Sequence, residues 1–162
     1  YRVRFPANFQ LIAAMNPCPC GWLGSRRPCR CSVEQITRYR NRISGPILDR
    51  IDLQVEVPAL DPETLLQAAP QTSWVEHHRA AAQIKKARAF RSERLQASSL
   101  PHASEPMDAG ATQFLVRAAQ NLHFSARAIQ KLIHVGRTIA DLDCATIITR
   151  SQLEEALMLR QS

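Results

Sequence analysis

Apolar and polar residues are distributed in two different ways along this chain. Residues 9–15 are apolar at nearly every position, which predicts a strand covered on both faces in a parallel sheet. Apolar residues alternate with polar ones over 51–57, the period of a strand with one wet face. Between them, Ser32 with Gln35 three residues on predicts a capping box and a short helix that reaches Ile43. Residues 1–58 are therefore predicted to be an α/β fragment.

Helical spacing dominates the rest of the chain. Asp61 as a cap, with Pro62 at the first helical position, predicts the start of a first helix. Further helix starts are predicted at the polar residues Ser73, Ser125 and either Thr149 or Ser151. Residues 59–162 are thus predicted to be an all-helical domain, with a flexible Ser- and Pro-rich loop near 97–110.

Composition and charge narrow the classes of function. The 162 residues carry 21 Lys and Arg against 14 Asp and Glu, a net charge of +7, which favours polyanionic partners such as nucleic acid or nucleotides. Solubility alone is the simpler alternative. The sequence holds no run of about 20 apolar residues and no signal peptide. We expect a piece of a longer cytoplasmic protein, because the chain begins at Tyr1 rather than Met.

Four cysteines form the most specific local motif. Cys18 and Cys20 are followed after eight residues by Cys29 and Cys31. Two close thiolate pairs can fold back to present four soft ligands tetrahedrally, which favours a structural zinc ion. Reduced thiols or a disulfide remain alternatives. With all four positions filled by protein, no site is left for an activated water, so a catalytic metal is not expected.

Longer motifs resemble a known family. The chain resembles the ComM-type (YifB-like) magnesium-chelatase-like AAA+ ATPases over most of its length. The resemblance is carried by Ala13-Ala-Met-Asn-Pro-Cys-Pro-Cys-Gly21, Cys29-Arg-Cys31, Tyr39-Arg-Asn-Arg-Ile-Ser-Gly-Pro-Ile-Leu-Asp-Arg-Ile-Asp-Leu53, Ser125-Ala-Arg-Ala128 and Gly136-Arg-Thr-Ile-Ala-Asp-Leu142. It implies that 1–58 is the carboxy-terminal part of an AAA+ core and that 59–162 is a helical lid.

The resemblance also implies three residues that act on ATP. Asn16 corresponds to sensor 1, which orients the attacking water, and Arg127 corresponds to sensor 2 of the lid. Arg50 corresponds to the arginine finger, which reaches the nucleotide of a neighbouring subunit. Each has a simpler alternative: a turn residue for Asn16, ion pairs with the adjacent aspartates for Arg50, and an exposed solubilising side chain for Arg127.

The motifs that bind the phosphates and the magnesium ion of a nucleotide are absent from this sequence. The sequence contains no G-x-x-x-x-G-K-[ST] loop and no apolar strand that ends in paired acids. The family places both upstream. We therefore expect ATP and Mg²⁺ to bind the full-length protein, in a ring that is a hexamer by resemblance, and we expect the fragment alone to be inactive.

Arginines flank the cysteines and occupy the helix that follows. Arg38, Arg40 and Arg42 surround Tyr39, after three more arginines in the cysteine loop. Guanidinium groups with an aromatic ring can contact a phosphate backbone and stack on a base, although they can equally line a subunit interface or face solvent.

Three functions follow from these patterns. The resemblance implies a DNA motor that drives branch migration, a helicase of natural transformation (competence) and recombination. A metal-insertion ATPase of the magnesium chelatase type is the first alternative. A basic zinc module that binds nucleic acid or protein without catalysis is the second.

Overall fold

The computed structural model describes residues 3, 6–7, 9–60, 63, 66, 70–97 and 105–160. It divides into two contact units, Tyr1–Gly45 and Pro46–Ser162, called here the cysteine unit and the helical unit. The described helices are α1 (Val33–Arg40), α2 (Gly45–Leu48), α3 (Pro70–Ala97), α4 (Ala109–Asn121), α5 (Ala126–Leu142) and α6 (Arg150–Met158).

The cysteine unit consists of an irregular loop followed by α1. The predicted capping box is present: the Ser32 hydroxyl accepts from the Gln35 N–H at 3.3 Å, and the Gln35 side-chain oxygen accepts from the Ser32 N–H at 3.0 Å. The helix ends at Arg40, three residues before the predicted Ile43, and turns follow it. Among the described residues of this unit, only Cys18 is buried. Apolar packing therefore contributes little to its order.

The helical unit is built around an apolar core. Helix α5 packs against α3 and α6, and α4 packs against α6. The core residues are Ala111, Leu115, Leu132, Ile139, Ala140, Ile148, Leu153 and Ala156. Gly136 allows α5 and α6 to approach closely, because a Cβ at this position would lie 2.7 Å from Cδ2 of Leu153. Each fully buried leucine contributes about 1.5–3 kcal/mol relative to an exposed one.

A buried ionic network joins α3 to α5. Asp141 accepts from Nε and a terminal nitrogen of Arg94 at 3.1 and 3.2 Å, and it lies 3.1 Å from the Arg137 guanidinium. Arg137 is only 4% exposed and also donates to the backbone carbonyls of Ala145 and Thr146. Burial lowers the pKa of Arg137, and the Asp141 carboxylate opposes that shift. Its ion pair with Asp141 and its two carbonyl acceptors give Arg137 a structural role in this unit.

The two predicted strands are not formed within the described part of the chain. Neither segment lies in a ladder, and the one bridge among the described residues is the isolated parallel pair of Met107 and Ile148. Most apolar side chains of the two segments are exposed: Ile12 and Val57 are each 85% exposed, while Ile51 is half-buried. The described residues are thus mostly helical, and the α/β part of the predicted fold is not observed among them. A strand requires a ladder of hydrogen bonds to the N–H and C=O groups of a neighbouring strand, and neither segment forms such a ladder among the described residues.

Two of the three described helix starts that were predicted for the helical unit agree with the structure. Ser125 caps α5, accepting from the Ala128 N–H at 3.2 Å, and Thr149 rather than Ser151 precedes α6. Helix α3 begins at Pro70, before the predicted Ser73. Asp61 and Pro62 lie outside the described residues, as do 98–104 in the predicted loop. No described helix is both long enough and apolar enough to cross a bilayer.

Candidate metal centre and arginine sites

Four cysteines from two short segments meet in the cysteine unit. The Sγ atoms of Cys18, Cys20, Cys29 and Cys31 all lie within 4.8 Å of one another. Cys18 is 3.4 Å from Cys20 and 3.6 Å from Cys29, and Cys20 is 3.5 Å from Cys29. These distances exclude disulfide bonds, and all four side chains are free thiols. We call this cluster the four-cysteine centre.

Tight turns bring the first cysteine pair into position. The Gly21 N–H donates to the Cys18 carbonyl at 3.0 Å, and Gly21 has a φ of +79°, in the left-handed region that glycine tolerates best. The backbone N–H groups of Arg30 and Trp22 donate to the Cys20 sulfur and lower the pKa of Cys20 to about 6. Desolvation raises the pKa of Cys31 to about 12. A glycine turn and backbone N–H donors close in sequence thus place the cysteine sulfurs where they can act as metal ligands.

This geometry fits a tetrahedral metal ion. Zinc with four thiolates at about 2.3 Å requires sulfur atoms about 3.8 Å apart, and three of the observed separations are 3.4–3.6 Å. The donor set is entirely soft sulfur, which selects zinc over magnesium or calcium. The four residues singled out by their spacing are therefore brought together as a centre that can hold a structural metal.

Asn16 lies at the end of the extended apolar segment, just before the four-cysteine centre. It is exposed, and its amide nitrogen would be 3.8 Å from a Cβ placed on Gly21. The preceding segment is not a strand here, so the expected position at a strand's carboxyl end is not formed among the described residues. Its role as sensor 1 stays a prediction.

Arg50 follows α2 and is exposed. One terminal nitrogen of its guanidinium donates to the Pro46 carbonyl at 2.7 Å. No carboxylate of the described residues lies within ion-pair distance of it, because both adjacent aspartates pair elsewhere: Asp49 lies 3.3 Å from Arg160, and Asp52 lies 2.7 Å from Lys131. The geometry therefore does not support the alternative in which Arg50 pairs with Asp49 or Asp52. The Arg50 side chain is exposed to solvent.

Arg127 occupies the first turn of α5, two residues after the cap Ser125. Its side chain is 60% exposed and has a loose contact with Asp49 at 4.0 Å. An exposed pair at this distance contributes at most about 1 kcal/mol. Arg127 thus belongs to the first turn of a helix, where free backbone N–H groups favour anions.

Within the helical unit, the segment that carries Arg50 is joined to α5 and to residues near the end of the chain by pairs that the sequence analysis did not identify. Asp49 bridges toward Arg127 and Arg160, and Asp52 pairs with Lys131 on α5. The Gln54 N–H also donates to the Leu159 carbonyl at 2.8 Å. The sequence separations approach or exceed 75 residues, so no local pattern could have indicated them.

Arg38, Arg40 and Arg42 are exposed in the last turn of α1 and just beyond it. Arg38 and Arg42, four residues apart, help to line a shallow open groove along one side of the helix, together with Val33, Glu34, Thr37 and Asn41. The structure therefore presents these arginines to solvent, and their contact with nucleic acid stays a prediction.

Comparison with known proteins accounts for nearly the whole chain. Residues 1–65 match the family described as magnesium chelatase, subunit ChlI, and residues 75–160 match magnesium chelatase, subunit ChlI C-terminal. Over 98% of its length the chain is 37% identical to the uncharacterized protein YifB of Escherichia coli, 38% identical to YifB of Salmonella typhimurium and 39% identical to the competence protein ComM of Haemophilus influenzae. It spans 32% of the length of each. The chain therefore belongs to the magnesium chelatase ChlI-like family, of which it represents the C-terminal region.

Proposed function

We propose that this chain is the C-terminal part of an ATP-dependent AAA+ DNA motor, a branch-migration helicase of competence and recombination. Arg127 would contact the nucleotide bound to its own subunit, and Arg50 would reach the nucleotide of a neighbouring subunit in a ring. Asn16 would orient the attacking water. The magnesium chelatase family and the likeness to a competence protein support this assignment.

One observation carries the proposal: Arg50 and Arg127 are both exposed, and the segment of one is tied to the helix of the other. Asp49, adjacent to Arg50, pairs with Arg160 at 3.3 Å and lies 4.0 Å from Arg127. Among the described residues, the acceptor of the Arg50 side chain is the backbone carbonyl of Pro46. An arginine whose donors are not committed to carboxylates can offer a planar fork to a phosphate.

ATP and Mg²⁺ would be held mainly by residues outside this chain, which has no phosphate-gripping loop. Bound Mg²⁺ would neutralise developing charge on the phosphates. The guanidiniums of this chain would add positive charge around the transferred phosphoryl group. We also propose that the exposed apolar segments 9–15 and 51–57 pair with strands from the remaining two thirds of such a protein.

The four-cysteine centre has a structural part in this proposal. Zinc bound by the four thiolates would replace the apolar core that the cysteine unit lacks among its described residues. No open coordination position would remain for catalysis.

The test is ATP hydrolysis by the full-length protein of the same gene, with and without single-stranded and branched DNA. Hydrolysis that rises with DNA supports the motor. Arg50→Ala should lower kcat by about 1000-fold or more while nucleotide binding is retained. Arg117→Ala, an exposed arginine of α4, is the matched control and should change neither quantity. Unchanged hydrolysis in Arg50→Ala would refute the finger.

An ATPase that inserts a metal ion is the second candidate, because both matching family models are described as magnesium chelatase subunit ChlI. Hydrolysis that rises with a porphyrin and partner subunits, and not with DNA, would favour it. If neither DNA nor porphyrin affects hydrolysis, a zinc-binding interaction module becomes the better interpretation.

A further inference from the structure

The net charge of the chain is confined to the cysteine unit. Residues 1–45 contain eight arginines and one acidic residue, Glu34, a net charge of +7. Residues 46–162 contain thirteen basic and thirteen acidic residues and are neutral. Four thiolates with Zn²⁺ would add a charge of −2 and leave the cysteine unit at +5. Such segregation is not needed for solubility, which an even distribution would serve.

The four-cysteine centre positions an aromatic ring at the surface. Trp22 donates its backbone N–H to the Cys20 sulfur, and its carbonyl accepts from the Ser25 hydroxyl at 2.9 Å. Trp22 is nevertheless 41% exposed. The Arg27 guanidinium lies over the ring, 4.5 Å from its centroid. An exposed aromatic ring beside a guanidinium is a platform on which an unpaired base can stack.

Arginines surround this platform on the backbone that the cysteines fix. Arg30 donates its backbone N–H to the Cys20 sulfur while its side chain is exposed. Arg38, Arg40 and Arg42 follow on and just after α1, and all three are exposed. Glu34 is the one acidic residue among the described residues of this unit, and it lies a turn before Arg38 at the opposite end of the helix. The positive surface is therefore open to phosphates.

We propose that the cysteine unit, Tyr1–Gly45, is a binding module for single-stranded nucleic acid: Trp22 stacks on a base, and the arginines of the cysteine loop and α1 hold the phosphates. Single strands are favoured over duplexes because stacking on Trp22 needs a base that has left its own stack. The proposal adds a contact surface to the proposed DNA motor, but it requires no ATP and can succeed or fail independently of it.

Fluorescence of the two tryptophans tests the stacking. Trp74→Phe in the zinc-loaded 162-residue chain leaves Trp22 as the only tryptophan, and Trp22→Phe leaves Trp74, which is 67% exposed in the helical unit. Titration with an oligothymidylate in the absence of ATP should quench Trp22 saturably and leave Trp74 unchanged. Equal quenching of both tryptophans, or none, would overturn the proposal, as would equal quenching of Trp22 by a blunt duplex.

Charge variants test the phosphate contacts. The triple variant Arg38→Gln, Arg40→Gln, Arg42→Gln should bind the oligothymidylate about 100-fold more weakly at ~0.1 M salt, since each contact on a single strand adds a salt exponent of about 0.7. The matched control is Lys85→Gln, Lys86→Gln, Arg88→Gln, which removes three exposed charges from α3. It should change affinity less than about threefold. Equal losses in both variants would show general charge attraction and refute a localised site.

The DNA motor and the binding module predict different experimental results. Binding by the 162-residue chain with no DNA effect on hydrolysis by the full-length protein would refute the motor and keep the module. DNA-stimulated hydrolysis without quenching of Trp22 would do the reverse.

Discussion

The two units of this chain are ordered by different means. The helical unit buries an apolar core in which Leu132, Ile148 and Leu153 are almost completely inaccessible. The described part of the cysteine unit buries only Cys18, one of four sulfur atoms that lie within 4.8 Å of one another. Apolar packing needs many residues at matched helical positions, whereas four thiolates and a metal ion can fix a loop that has almost none.

The same contrast extends to charge. The helical unit is neutral, and its buried charges are paired in the network around Asp141. The cysteine unit carries the whole net charge, and its described arginines are exposed. A core stabilised by burial must pair its charges, while a loop stabilised by ligand bonds leaves its surface available for binding.

The largest expected effect is that of losing the metal, which should affect the cysteine unit and leave the helical unit folded. Cys20→Ser should abolish stoichiometric zinc binding and remove amide-exchange protection over residues 17–31, because structural zinc sites supply about 10–16 kcal/mol of apparent binding free energy. Protection of α4–α6 should persist. Zinc analysis and hydrogen exchange by mass spectrometry measure both.

Cys144→Ser is the matched control, since Cys144 lies outside the four-cysteine centre. It should keep the metal content of the original chain. Loss of zinc in this variant, or loss of protection in α4–α6 after Cys20→Ser, would contradict the separation of the two units.

The second effect concerns the buried ionic network. Asp141→Asn removes the carboxylate shared by Arg94 and Arg137, which leaves the buried Arg137 poorly compensated and the partly buried Arg94 with Glu105 as its carboxylate partner. The free energy of unfolding should fall by about 3–5 kcal/mol, while zinc content stays unchanged. Urea denaturation followed by circular dichroism measures the change. The control Glu154→Gln breaks the exposed pair with Arg150 and should cost under about 0.5 kcal/mol; similar losses for both would argue against the network.

The third effect tests the apolar core. Leu153→Ala truncates a fully buried side chain and should lower the free energy of unfolding by about 2–5 kcal/mol. Val116→Ala on the exposed side of α4 should change it by less than about 0.5 kcal/mol. Denaturant melts of the two variants give the comparison, and comparable losses would place the core elsewhere.

The smallest effect tests the close approach of α5 and α6. Gly136→Ala should cost about 1–3 kcal/mol, because the new methyl group would lie 2.7 Å from Cδ2 of Leu153. In the Leu153→Ala background the same change should cost little or even stabilise, since alanine is the better helix former. A double-mutant cycle of denaturation free energies measures this coupling. Strict additivity would contradict the contact.

Local patterns predicted the parts of the structure that depend on neighbours in sequence. Ser32 with Gln35, Ser125 and Thr149 were predicted helix starts, and the structure has helices beginning after each. The four cysteines were predicted to converge, and their sulfurs do. These features involve separations of a few residues, or ligands whose chemistry leaves few alternatives. The roles of Asn16, Arg50 and Arg127 in ATP hydrolysis stay predictions.

The tertiary structure decided what depends on distant partners. The apolar run at 9–15 and the alternation at 51–57 have the periodicity of strands. A strand exists only where a neighbouring strand completes its ladder of hydrogen bonds, and the described residues provide no such ladder. Asp49 and Asp52 looked like partners for Arg50, but they pair with Arg160 and Lys131, which no local pattern indicates. Sequence by itself determined helix caps, sulfur ligands and charge segregation because these are local properties. Long-range pairing set the rest because it depends on which distant groups are available in space.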